Sequence, residues 1–161
     1  MISIKSHSGI YTLEVKKFVN TSLAEAWEFF SSPANLSKIT PPQMGFIITS
    51  GKPAKMYPGQ IISYKVSPFP GFTTNWVTEI THVQEKRFFV DEQRFGPYRM
   101  WHHEHHFEAQ GNGVLMTDRV SYKLPFGFLG RIAHYIFVRK QLQTIFSYRE
   151  KCLGDFFQES V

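Results

Sequence analysis

Residues 101–108 read Trp-His-His-Glu-His-His-Phe-Glu, so four of the chain's seven histidines fall within five positions. As a strand, this stretch splits into two faces, because successive side chains point to opposite sides of a sheet. Trp101, His103, His105 and Phe107 share one face, half aromatic and half imidazole, suited to the wall of a partly apolar cavity. His102, Glu104, His106 and Glu108 share the other, which is polar throughout and suited to solvent. The reading is therefore directional: His103 and His105 in, His102 and His106 out.

The flanking sequence supplies the partners. Gly111-Asn112-Gly113 is a hairpin signal, and it returns the chain along 114–123. That pairing sets Asp118 roughly opposite the His105 region, on a stripe with Met116, Val120 and Tyr122. A carboxylate on an apolar stripe must be paired or hydrogen-bonded, and the inner histidines are its natural partners. On the preceding strand, Arg87 to Phe95, alternation sends one of Asp91 and Glu92 inward; Phe88 and Phe89 leave both registers open. Arg94 and Arg119 are expected in surface ion pairs.

Upstream, residues 10–19 alternate as a strand, and Ser22-Leu-Ala-Glu25 has capping-box spacing before Ala26, Trp27, Phe29 and Phe30, which predicts a short helix. A second short helix is expected over 34–39, stopped by Pro41-Pro42. Further strands are predicted at 46–49, 60–66 (ending at Ser67-Pro68) and 72–83, the last with Trp76, Thr78 and Ile80 on one face. Gly51 to Gly59 is expected as a loop around Pro53 and Pro58; its Met56-Tyr-Pro-Gly59 portion and the turn Ser67-Pro-Phe-Pro-Gly-Phe72 are candidate lids. From 127 to 157 the spacing of Leu129, Ile132, Ala133, Ile136, Leu142, Ile145, Phe146, Cys152, Leu153 and Phe156 predicts one long helix. Arg131, Arg139, Lys140, Arg149 and Lys151 are read as its solvated face, with anionic headgroups as the alternative partner.

Strand, two short helices, about six antiparallel strands and a long helix make an α+β chain. Only the last helix is long enough to cover the apolar face of such a sheet. The 161 residues suit a single domain, 1–161 with its core at about 10–155. Hydrophobic residues make up 42% and aromatic residues 16%, enough to line a large or a hollow interior. The net charge of +5 admits anionic partners, but without a run of Lys/Arg no nucleic-acid binding is expected. A single cysteine, Cys152, rules out an intrachain disulfide and reads as a buried small apolar residue. No apolar run is long enough for an integral membrane segment or a signal peptide, and a cytoplasmic location is the default expectation.

The motifs Trp76-Val-Thr-Glu-Ile80, Phe95-Gly-Pro-Tyr98, Trp101 to Phe107, Met116-Thr-Asp-Arg-Val-Ser-Tyr122 leading into Leu124-Pro125, and Gly130-Arg-Ile-Ala-His134 to Phe146 resemble the START-like (SRPBCC) superfamily. The chain is most similar to bacterial ligand-binding members near its polyketide cyclase/dehydrase-like group. The resemblance spans about 10–155. It implies a helix-grip fold, a curved sheet of six to seven strands wrapped around the C-terminal helix, with a cavity between them. It also implies a small hydrophobic or amphipathic ligand, lipid- or polyketide-like. The expected lining is Trp76, Ile80, Trp101, Phe107, Met116, Val120 and Tyr122 from strands and Ile136 from the helix, with Ile132, Phe137 and Ile145 nearby; His103, His105 and Asp118 orient the ligand. No cofactor or metal is expected, because the helical His-Glu-x-x-His pattern is absent. Two other uses stay open: a cyclase or dehydratase with a His–Asp acid–base pair, and a protein–protein module.

Overall fold

The computed structural model describes residues 2–51, 55–69 and 71–158; Pro53 of the expected 51–59 loop and Pro70 of the second expected lid lie outside the described residues. Eight strands form one antiparallel sheet: β1 (Ile2–His7), β2 (Ile10–Val19), β3 (Ile47–Ile48), β4 (Gln60–Phe69), β5 (Phe72–Gln84), β6 (Phe88–Phe95), β7 (Met100–Gln110) and β8 (Gly113–Lys123). Their spatial order is β1-β2-β8-β7-β6-β5-β4-β3. This is more than the six to seven expected. The additional strand, β1, pairs with β2 from Ile2 opposite Val15 to His7 opposite Ile10, and its alternating Ile2 and Ile4 carried the signal.

Helix α1 (Leu23–Phe30) begins as its sequence requires. The Ser22 hydroxyl accepts from the Glu25 backbone N–H, and the Glu25 carboxylate accepts from the Ser22 N–H at 3.1 Å. Such a cap stabilises a helix by about 1 kcal/mol. Its buried Trp27 packs edge-on against Phe89 and Phe107, 6.2 and 5.5 Å between centroids, so Trp27→Ala would cost about 3–5 kcal/mol. The expected second helix is a 3-10 turn, Pro33–Ile39, followed by another at Pro42–Met44.

Strand β4 runs past its expected end at Ser67-Pro68. Its pairing with β5 shifts between Val66 and Phe69, and a register irregularity is where a strand tolerates a proline, which has no N–H to donate. Two more shifts between β5 and β6, at Val77/Thr78 and Ile80/His82, bend the sheet as bulges do.

The long helix is continuous but not uniform. It comprises α2 (Gly127–Ala133), a π turn (His134–Val138) and α3 (Arg139–Gln158). Its buried stripe over the first part is Gly130, His134, Val138, Leu142 and Phe146, not the expected Leu129, Ile132 and Ile136, which are exposed. Gly130 is buried because the helix lies against the preceding loop: a Cβ there would sit 2.1 Å from the Pro125 carbonyl oxygen. His134 stacks on Tyr11 with centroids 3.6 Å apart and shares a 2.8 Å hydrogen bond with the Tyr122 hydroxyl. From Leu142 onward the predicted stripe holds as far as Leu153, with Phe146 and Leu153 buried and Cys152 packed against the same core as Trp27, but at its end the buried ring is Phe157 and the expected Phe156 is exposed.

Candidate functional site

Cross-strand register assembles the site. On the inner face, Asp91 of β6 lies opposite His103 of β7, and Asp118 of β8 lies opposite His105. His103 and His105 are 5% and 7% exposed, and their rings are 3.7 Å apart. Each carboxylate touches both rings. Asp118 Oδ1 is 3.2 Å from His103 Nε2 and 2.7 Å from His105 Nδ1; Asp91 Oδ2 is 3.5 Å from His103 Nδ1 and 3.0 Å from His105 Nε2. The His105 Nδ1 contact is close but too poorly aligned to be a hydrogen bond. Asp91 is thus the inward acid of its strand. Glu92 faces out, 2.8 Å from His102 Nδ1, while His106 Nε2 is 2.8 Å from Glu104. The directional reading of the four histidines therefore describes the structure, and Arg94 and Arg119 sit in surface pairs with Glu79 and Glu14.

The last helix contributes a residue that the sequence reading misplaces. Arg149, expected on the solvated face with Arg131, Arg139, Lys140 and Lys151, is 8% exposed. Its guanidinium lies 5.0 Å from the Phe146 ring centroid and 3.8 Å from Asp118 Oδ2. The other four cations are exposed. Arg149 sits three residues after Phe146 in the buried stripe, and a lone cation at that spacing carried the signal for a buried partner.

Burial works against ionising Asp118, but the hydrogen bond from His103, the close contact of His105 and the positive charges of His105 and Arg149 hold its carboxyl well below the ordinary value. Asp91 is shifted the same way: burial opposes ionisation, and His103, His105 and Arg149 overcome it. The histidines diverge. Burial, reinforced by the neighbouring His105 charge, drives His103 down despite both carboxylates. Burial acts on His105 too, but its contacts with Asp118 and Asp91 prevail and raise it. Of the two rings, His105 is therefore the readier to carry a proton between the two carboxylates.

Asp91, His103 and His105 also present ligand atoms within 4.8 Å of one another. Two imidazoles and a carboxylate are a donor set that suits a divalent transition metal. The same atoms already pair among themselves, and Arg149 and His105 supply the positive charge that the carboxylates require.

Two cavities meet at this cluster, sharing walls formed by Val66, Trp76, Trp101, His103 and Arg149. One, of about 180 Å³, runs toward α1 and the 3-10 turn, past Ile80, Phe89 and Met56. The other, of about 500 Å³, runs between the sheet and the first half of the long helix, past Phe72, Leu129, Phe137 and Ile145. The larger falls within the roughly 300–1,000 Å³ of small-molecule sites. Of the residues expected to line a cavity, Trp76, Ile80, Trp101, His103 and His105 do so. Phe107, Met116, Val120 and Tyr122 point inward but are consumed by core packing, and Asp118 lies behind the histidines. Ile136 is 70% exposed and lines neither cavity. Both expected lid segments reach the cavities, through Met56 and through Pro68 and Phe72. Gln141 of α3 donates to the Pro68 carbonyl and ties the second one to the helix.

A curved antiparallel sheet closed by one long helix, with a hollow between them, is the helix-grip fold of START-like proteins, as the sequence motifs imply. A protein from Rhodobacter sphaeroides superposes with a TM-score of 0.71 at 15% identity, over 100% of both chains. The protein Ms6760 from Mycobacterium smegmatis gives 0.67 at 14%, again over 100% of both. The major latex-like protein 151 of Panax ginseng gives 0.64 at 11%, over 93% of this chain and 99% of its own. No protein-family model matches the chain, and no curated protein matches it in sequence. Among the described residues no helix is long and apolar enough to cross a membrane.

Proposed function

We propose that the chain binds one hydrophobic or amphipathic small molecule, lipid- or polyketide-like, between the sheet and the C-terminal helix. The observation that carries this reading is the junction of the two cavities, where greasy walls surround a single buried polar cluster. Arg149 Nε and Nη1 make no hydrogen bond within the described residues although both are buried. Buried donors of this kind require a partner, and an oxygen on the ligand would supply one. The apolar body would then lie along Trp76, Trp101 and the helix. Native mass spectrometry of the purified protein, with extraction of whatever it carries, tests this. A bound apolar molecule, displaced in Arg149→Met, is the expected result; an interior that takes up no fatty acid or polyketide-like probe ends the idea.

The place of His103 favours a second reading. An imidazole that lines both cavities and is flanked by two carboxylates is positioned to take a proton from a carbonyl compound, as a cyclase or dehydratase requires. That reading fails if His103→Ala and His105→Ala turn over polyketide-like substrates as fast as the parent protein.

A further inference from the structure

The first half of the long helix exposes what a soluble helix ordinarily hides. Phe126 is 81% exposed, and Phe128, Leu129, Tyr135 and Ile136 are each at least 65% exposed. Phe126 is held outward in the left-handed backbone region, φ 64, followed by Gly127 at φ 51. A bulky residue is strained in that region, and strain of this kind gathers at functional surfaces. The charge around these rings has one sign. The sequence holds no acidic residue between Asp118 and Glu150, a span that includes Lys123, Arg131, Arg139 and Lys140. Arg131, Arg139 and Lys140 are exposed, and the Arg131 guanidinium lies 5.8 Å from the Phe128 ring centroid. The larger cavity is walled by the same segment, through Phe126, Leu129 and Phe137.

We propose that this face docks on an anionic lipid bilayer, with the aromatic and aliphatic side chains seated at the headgroup boundary and the cations on lipid phosphates. The larger cavity then exchanges its ligand with the membrane. The exchange rests on the ligand-binding reading above; the docking does not. Exposed apolar residues interleaved with cations, on a helix that cannot span, are the composition of an interfacial segment. Charge selects lipid over a second copy of this chain. Self-pairing across a two-fold axis would press Arg131, Arg139 and Lys140 against one another without an acid from this segment, whereas an anionic headgroup neutralises each of them.

Co-sedimentation of the full chain with vesicles tests the docking. One set is phosphatidylcholine alone; the other contains about one third phosphatidylglycerol, to give an anionic surface. Binding to the second set and release as salt rises from about 0.1 to 1 M are expected. Arg131→Gln with Lys140→Gln should weaken binding roughly 30-fold, the value for two interfacial cations, and Phe128→Ser with Tyr135→Ser should abolish it. All four positions are exposed, and circular dichroism confirms that the variants are folded. Failure to bind either vesicle, binding that these variants leave unchanged, or a dimer that Phe128→Ser with Tyr135→Ser dissolves would each overturn the docking. Energy transfer from Trp76 and Trp101 to a polyene fatty acid reads the cavity separately. Transfer without vesicle binding removes the docking and keeps the ligand-binding reading. Vesicle binding without transfer keeps the docking and removes the exchange.

Discussion

Arg149 of the last helix reaches to within 3.8 Å of Asp118 on β8, and this buried pair links the helix to the histidine cluster. Removing one partner of a buried pair strands the other charge. Arg149→Met should therefore lower stability by about 3 kcal/mol in urea unfolding. Arg149→Met combined with Asp118→Asn should cost less than the two single changes added together. Additive costs would show the pair to be uncoupled.

The two inner histidines should titrate in separate steps, one below and one above the ordinary imidazole value, because His103 is lowered and His105 raised. Such steps belong to the pair as a whole. The positive charge of His105 is one cause of the lowering of His103. In His105→Gln the remaining step should therefore move upward. Proton NMR of the ring C–H signals measures this, and an unmoved His103 step would contradict it.

Asp91 and Asp118 are both held below their unfolded values. Their contribution to stability is therefore complete above the unfolded carboxylate value of about 3.9 and disappears as pH falls through the folded values. His105 acts in the opposite sense: its contribution is complete below about 6.5 and is lost as pH rises through its raised folded value. Asp118→Asn should flatten the acid limb of a stability–pH curve while reducing stability at neutral pH. Equal acid slopes in the variant and the parent would place the proton uptake elsewhere.

Dialysis against a strong chelator should leave the melting temperature unchanged, since Asp91 and Asp118 already have His103, His105 and Arg149 as partners. A fall of several degrees, restored by zinc, would instead make Asp91, His103 and His105 the ligands of a structural ion.

The hydrogen bond between the Tyr122 hydroxyl and His134 Nε2 fastens the π turn to the sheet. Tyr122→Phe leaves that ring nitrogen buried without its partner, and should cost about 1–3 kcal/mol in thermal or urea unfolding.

Much of this was legible in the chain because period-two alternation is unambiguous where one face is wholly polar. Residues 101–108 satisfy that condition and 114–123 do so but for Leu115, and they yield the direction of the histidines and their pairing with Asp118. Asp91 was not separable from Glu92, because Phe88 and Phe89 blur the alternation; cross-strand pairing with His103 decides it. The helix failed for a related reason. Between Phe126 and Val138 nearly every position is apolar, so no stripe stands out, and the buried positions include a glycine and a histidine. Arg149 was hidden by composition, since a cation on a helix is ordinarily solvated; only a carboxylate distant in sequence makes its burial tolerable.

The π turn at His134–Val138 works as a phase shifter. One residue inserted into a helical turn rotates everything beyond it by about 100°. The segment before the turn presents Phe128 and Leu129 outward, and the segment after it lays Leu142 and Phe146 on the sheet. Substitutions of Phe128 or Leu129 ahead of it change the exposed face, and those of Leu142 or Phe146 behind it change the fit to the sheet. A deletion of one residue in 134–138 would couple the two again, swinging outward rings inward and drawing Leu142 and Phe146 out of register together.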